Sequence, residues 1–207
     1  MGRAGALSLL AFAPLLLLAG CGGSEGPSCA NVSVPVPDPR LEPAPTAPLD
    51  TSKTYTVSFE TSCGDFTVTL DPRQSPNAAA SVYSLARRGF YDGTVVHRIG
   101  PTLFEAGDRS GTGNEGPGYT TLDEPPRDVG YRRGTVAMAK AGGESPGTGG
   151  SRFFVVTARD AAFAPDFAVV GKVSDGLDVI EAIGELGGPD EQPTQVVVID
   201  RAVAEES

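Results

Sequence analysis

Polar and apolar residues alternate from Thr54 to Phe59 and again from Phe66 to Leu70. A period of two sends successive side chains to opposite faces of a strand, so both stretches predict half-buried strands. Ser62-Cys63-Gly64-Asp65 lies between them and predicts a hairpin turn. The period then changes. Over Pro76 to Arg88, Val82, Leu85 and Ala86 fall at helical spacing, with Pro76 suited to a first turn, Ser75 to an N-cap and Gly89 to a C-terminal stop. Further strands are expected at 94–99, 103–106, 134–139, 152–157, 168–173 and 195–203. A second helix is expected at 176–183, turning Val179, Ile180 and Ile183 inward. Many short strands, glycine-rich turns and two helices predict an all-β class, a closed antiparallel barrel with helical caps. Arg109 to Arg133 is poor in apolar residues and predicts a long loop of the kind that is functional or mobile.

The ends do not share these patterns. Arg3 precedes an apolar stretch, Ala6 to Ala19, which closes on Leu18-Ala19-Gly20-Cys21. That is the form of a lipoprotein signal, residues 1–20, with Cys21 as the lipidated residue. The alternative is a transmembrane anchor, for which the stretch is short against the ~20 residues a span needs. Residues 21–50 carry Gly22, Gly23 and Gly26, then Pro35, Pro37, Pro39, Pro43, Pro45 and Pro48. Such a segment favours extended backbone and is expected to tether the domain away from a lipid surface. The remaining residues, 51–207, suit one domain of about 150 residues with its own core.

The formal net charge is −10, from 16 basic and 26 acidic residues. Phosphate binding needs a basic surface, so nucleic acid is not an expected partner. The expected partners are a bilayer, reached through the lipid on Cys21, and polypeptides; the domain is expected to be a monomer on the outer side of a bacterial membrane. With Cys21 lipidated, Cys29 and Cys63 remain. Two cysteines in an exported chain point to a disulfide, with two free thiols as the alternative.

Several chemistries find no support. Gly111-Thr112-Gly113-Asn114-Glu115-Gly116 has dinucleotide-loop spacing, but Pro117-Gly118 follows where a helix must open. His97 is the single histidine and neither CxxC nor HExxH occurs, so no metal or other cofactor is expected. A serine nucleophile elbow is also missing. Arg98 stands out instead, a permanent cation beside apolar strands. Leu103-Phe104-Glu105 returns toward it, and Met138, Ala139 and Phe154 come from other expected strands. One planar cation, one acidic neighbour and an apolar recess suit prolyl isomerisation. The barrier there is ~18–20 kcal/mol of C–N double-bond character. A guanidinium aimed at the pyramidal nitrogen stabilises the twisted state above either planar one. The competing reading of Arg98 is a structural ion pair at the barrel rim.

Ordered matches along Thr54 to Val203 resemble the cyclophilin family. They are His97-Arg98, Ala106-Gly107-Asp108, Gly116-Pro117-Gly118-Tyr119, Ala137-Met138-Ala139, Gly150-Ser151, Phe153-Phe154, Val169 to Val173 and Gly176 to Ile180. The resemblance implies a closed eight-stranded antiparallel β-barrel capped by two α-helices, and cis-trans isomerisation of prolyl peptides without a cofactor. By resemblance Arg98 is the catalytic arginine and Phe154 the floor of the proline pocket. Leu103 falls where the family has a pocket methionine, Ala139 on the substrate groove, Lys140 where the backbone meets substrate, and Phe163 where a pocket leucine is usual.

Departures from the pattern fall in the same places. Glu105 and Arg152 replace groove glutamines, Phe167 a pocket histidine, and Ala162 a tryptophan. Thr102 stands where a pocket phenylalanine is common, and the preceding turn is one residue short, so Thr102 and Leu103 can exchange roles. Two functions follow: a prolyl isomerase assisting the folding of exported proteins at the envelope, or a non-catalytic peptide-binding or chaperone module on the same fold.

Overall fold

In a computed structural model of the chain, residues 1–2, 27–128 and 130–207 are described. Most of the signal segment, and Cys21 with its expected lipid, lie outside the described residues. Tyr55–Thr61 (β1) and Gly64–Leu70 (β2) pair antiparallel with Thr61 opposite Gly64, so the turn between them shrinks to Ser62-Cys63. The period-two expectation holds residue by residue. Tyr55, Val57 and Phe59 are buried, as are Phe66, Val68 and Leu70, while their neighbours are partly exposed.

The remaining elements are α1 (Pro76–Arg87), β3 (Thr94–Val95), β4 (Arg98–Ile99), β5 (Leu103–Ala106), β6 (Thr121–Leu122), β7 (Thr135–Met138), β8 (Thr148–Gly149), β9 (Phe153–Val156), β10 (Val169–Asp175), α2 (Leu177–Gly184) and β11 (Val198–Glu206). The main sheet runs β3-β11-β1-β2-β10-β7-β9-β5-β4, and β6 pairs with β8 apart from it. The first and last strands of the main sheet are joined by Val96-His97 alone, so the sheet must curl until its edges meet. The expected single strand at 94–99 is split there for a physical reason. The Val96 N–H donates to the Val197 carbonyl on one edge, and the His97 N–H donates to the Glu105 carbonyl on the other. The ladder changes neighbours between consecutive residues, and that exchange closes the barrel. Counted as one strand, 94–99 brings the total to eight.

Aromatic rings fill the interior. Phe59 stacks on Phe66 with ring centroids 5.0 Å apart and meets Phe153 at 5.1 Å; Tyr91 meets Phe153 edge-on at 5.6 Å. Edge and offset contacts of this kind add to the area these rings bury. α1 covers one end with Val82, Leu85 and Ala86 buried, and α2 buries Val179, Ile180 and Ile183. Gly89 adopts φ 62 just past α1, the left-handed stop expected of it.

Ser75 is the residue before α1 but makes no side-chain cap; its hydroxyl is buried without a partner among the described residues. The cap comes from a distant residue instead. Buried Asp123 accepts hydrogen bonds from the backbone N–H groups of Asn77 (3.1 Å) and Ala78 (2.7 Å) and from the Asn77 amide. A carboxylate satisfies orphan donors and the positive end of the helix dipole together. The segment expected as one long loop is thus pinned in its middle, by β6 and by Asp123.

The proline-rich segment forms no helix or strand, as its composition dictates, but it does not stand off the domain. Described from Pro27 onward, it lies along the domain surface. Asp38 pairs with Arg109 at 2.7 Å, Glu42 with Arg88 at 3.3 Å, and the Glu42 N–H donates to the Pro117 carbonyl at 2.8 Å. Extended backbone leaves its polar groups free to bond outward, and the domain supplies the partners. Cys29 is joined to Cys63 in a disulfide, which fixes the segment to the β1–β2 turn. With the two cysteines 34 positions apart along the chain, such a link is worth ~3–4 kcal/mol in the chain-entropy model.

Asp123→Ala removes the cap of α1 while leaving the backbone N–H groups of Asn77 and buried Ala78 unpaired. We expect a loss of about 1–3 kcal/mol in denaturant unfolding. An unchanged midpoint would show that α1 does not depend on Asp123.

Candidate active site

Antiparallel register places one row of residues across the sheet. Arg98 on β4 lies opposite Glu105 on β5, Glu105 opposite Phe154 on β9, Phe154 opposite Ala137 on β7, and Ala137 opposite Val169 on β10. Their neighbours along each strand, Ile99, Phe104, Phe153 and Val155, Val136 and Met138, and Val170, belong to the barrel interior. The row therefore faces outward. On that outer face Leu103, Tyr131, Ala137, Ala139, Phe154, Val156 and Val169 form a second, smaller core, against which Phe163 and Phe167 pack.

This second core is the floor of a recess of about 370 Å³. Arg98, Leu103, Glu105, Ala139, Lys140, Phe154, Phe163 and Phe167 all line it, and so do Thr102, Gly100 and Glu191. Phe154 is 1% exposed and is met edge-on by Phe167 at 5.1 Å and Phe163 at 6.0 Å. Thr102 and Leu103 both reach the recess. Leu103 opens β5 on the same face as Glu105, while Thr102 precedes the strand and its carbonyl accepts from the Thr157 and Ala158 N–H groups. Arg152 does not line this recess. It lines a neighbouring groove of about 470 Å³ with Asn114, Tyr119 and Gly150, and Ala139 is common to both.

Two residues of the site carry no local signal in the sequence. Tyr131 meets Phe154, Phe163 and Phe167 with its ring. Its hydroxyl donates to the Phe167 carbonyl at 2.9 Å and accepts from the Phe167 N–H at 3.0 Å, which holds the 163–167 loop over the floor. Glu191 is the second. It belongs to a short 3₁₀ turn, Pro189–Glu191, after α2. Gly187-Gly188-Pro189 is a turn-forming run, but no local pattern connects it to a residue 93 positions earlier.

The electrostatics centre on Arg98. Its Nη1 donates to Glu105 Oε1, and its Nε donates to Glu191 Oε2 at 2.6 Å. The two carboxylates approach the guanidinium from different sides, and the side chain remains 39% exposed. The hydrogen bond to Glu191 raises the Arg98 pKa above its ordinary value, against the opposing effect of partial burial. Burial alone would push the Glu105 carboxyl up, but His97 and the Arg98 guanidinium outweigh it and hold the group below the usual glutamate range. His97 stands behind the pair, with Nε2 3.6 Å from Glu105 Oε2. Both its ring nitrogens are buried without a hydrogen-bond partner among the described residues.

Arg98 is not the sole cation at the recess. Lys140 lines it too, 3.0 Å from Asp166 and over the Phe167 ring at 5.8 Å. A planar donor, an apolar floor and an open mouth can hold a ring and polarise the amide beside it. The residues that line the recess include no nucleophile–base pair, and no cluster of metal ligands occurs among the described residues.

Fold and site together define a small closed barrel with a peptide-sized recess on its outer wall. The family model for cyclophilin-type peptidyl-prolyl cis-trans isomerases matches residues 56–204, and the chain belongs to that family. It is 37% identical over 194 residues to the "Probable peptidyl-prolyl cis-trans isomerase B" of Mycobacterium tuberculosis, covering 84% of this chain and 60% of that protein. It is 34% identical over 157 residues to peptidyl-prolyl cis-trans isomerase-like 1 of Aspergillus oryzae, covering 72% of this chain and 96% of the relative. Among solved structures it superposes on a cyclophilin-type isomerase of Cryptosporidium parvum with a TM-score of 0.67 at 26% identity, over 73% of this chain and 98% of that one. The same protein solved in the presence of the dipeptide Ala-Pro gives 0.66.

The depressed Glu105 pKa has a definite consequence for stability. A carboxyl held lower in the folded state than in the unfolded one stabilises the fold above its ordinary range, and the contribution disappears as pH falls through the lowered value. Thermal melts from neutral pH into the acid range should therefore show the wild type losing its advantage over Glu105→Gln. Parallel curves would contradict the pairing.

Proposed function

We propose that this chain is a peptidyl-prolyl cis-trans isomerase acting on exported, proline-containing polypeptides. The observation that carries the reading is the shared row: Arg98 and Phe154 stand on the same face with one strand between them, on either side of Glu105. A pyrrolidine ring seated on Phe154 and Leu103 presents its amide nitrogen toward Arg98. Twisting the peptide bond returns the lone pair to that nitrogen, and a donor there stabilises the twisted state selectively. The aromatic floor holds the ring while the acyl side rotates. Glu105 and Glu191 orient the guanidinium before substrate arrives, so little reorganisation is needed. That the Cryptosporidium relative was solved in the presence of the dipeptide Ala-Pro supports a prolyl ligand.

A second reading is a peptide-binding module without catalysis. One observation favours it: two carboxylates already occupy the arginine. The two readings separate on one assay. Exchange between cis and trans forms of a prolyl peptide, followed without a coupled protease, should be accelerated by the wild-type protein. Arg98→Ala should slow the catalysed rate by at least ~10-fold, since each ~1.4 kcal/mol of lost barrier stabilisation is tenfold. Peptide binding without acceleration would favour the module.

We place the protein at the cell envelope, held to the outer side of a bacterial membrane by lipid on Cys21. The support is the Leu18-Ala19-Gly20-Cys21 sequence at the end of an apolar stretch and the export context that Cys29 and Cys63 fit. Cells fed labelled palmitate should incorporate it into the wild type and not into Cys21→Ala. Equal labelling of both would remove the anchor from the account.

A further inference from the structure

Glu191 reaches Arg98 by construction. Its loop is closed by a bridge between Gly187 and Pro193 and by the Gly188 N–H donating to the Gln192 carbonyl at 2.9 Å. Gly187 lies against β4, where an added Cβ would stand 3.0 Å from the Ile99 carbonyl. Asp190 and Glu191 adopt φ 58 and φ 60, left-handed values that cost energy outside glycine and persist where the surroundings fix them. Gly100 leaves room for the result: a Cβ there would stand 2.8 Å from Glu191 Oε1. Strained backbone, a closed loop and a small neighbour together carry one carboxylate to the edge of the recess.

That carboxylate changes the charge of the site. Arg98 is opposed by both Glu105 and Glu191, and Lys140 is neutralised by Asp166. Two positive groups thus meet three negative ones, which leaves the mouth with one excess negative charge. Glu191 is 39% exposed, so a ligand at the mouth can reach it, whereas Glu105 at 15% is largely covered. A cation on the peptide would find Glu191 directly, and an anion would be repelled.

We propose that Glu191 makes the recess selective for prolines flanked by a lysine or arginine side chain. The proposal rests on the prolyl-peptide reading of the recess and names which such peptides it takes. Glu191 acts here on specificity. It meets the flanking side chain and leaves the rotating bond to Arg98.

The test uses the full-length protein and three peptides identical except for Lys, Met or Glu beside the single proline, placed on either side of it. Binding is titrated and cis-trans exchange is measured by NMR. The wild type should favour Lys over Glu by about tenfold in affinity, the effect of an attraction replaced by a repulsion, and 0.5 M salt should shrink that preference. Glu191→Gln should reduce the preference to less than about twofold, and Glu191→Asp should restore its direction. The same ranking in wild type and Glu191→Gln would overturn the proposal, as would an equal loss for all three peptides. A Glu191-dependent ranking in binding with no accelerated exchange would overturn the isomerase reading and leave this one standing. Accelerated exchange with no ranking would do the reverse.

Discussion

The site depends on strand register. β4, β5, β9 and β7 set Arg98, Glu105, Phe154 and Ala137 in one outward-facing row because successive residues of a strand face opposite ways. A one-residue slip in β9 would exchange Phe154 for Phe153 or Val155, both of which now fill the barrel. A slip toward Val155 would leave the guanidinium without an aromatic floor, and a slip toward Phe153 would take that ring out of the barrel. The packed interior enforces the register, since Phe153 is held there by Phe59 and Tyr91. Stability and function are thus set by two faces of the same strands.

On the outer face, order is built in layers. Phe154 is buried under Phe163 and Phe167, and Tyr131 ties their loop down through two hydrogen bonds to Phe167. On the polar side, Glu105 and Glu191 fix Arg98 from two directions, with buried His97 behind Glu105. Two carboxylates on one guanidinium restrain it and screen its charge. The exposed part of Arg98 is what remains for a ligand.

Much of this was legible in the sequence. Alternation along β1 and β2 and the helical spacing of Val82, Leu85 and Ala86 carried their burial directly. The family resemblance pointed to Arg98, Leu103, Glu105, Ala139, Lys140, Phe154, Phe163 and Phe167, which all line one recess, and to Arg152, which lines the neighbouring groove instead. What stayed hidden depended on contacts between distant segments. Asp123 caps α1 from 46 residues away, and Glu191 approaches Arg98 from 93. Local patterns register backbone period and turn chemistry; they do not register which loop comes back to which strand. The proline-rich segment shows the same limit. Its composition predicts extended backbone correctly, but not the pairings of Asp38 and Glu42 that lay it against the domain.

The central claim is that a proline ring sits on Phe154 and Leu103 with its amide beside Arg98. The most direct measurement is a set of intermolecular NOEs between a prolyl peptide and the protein, with the Arg98 Nε–H signal followed in the same sample. Contacts from the ring protons to Phe154 and Leu103 and a shifted Arg98 signal are expected. Contacts confined to the groove of Tyr119, Gly150 and Arg152, with Arg98 unmoved, would contradict it.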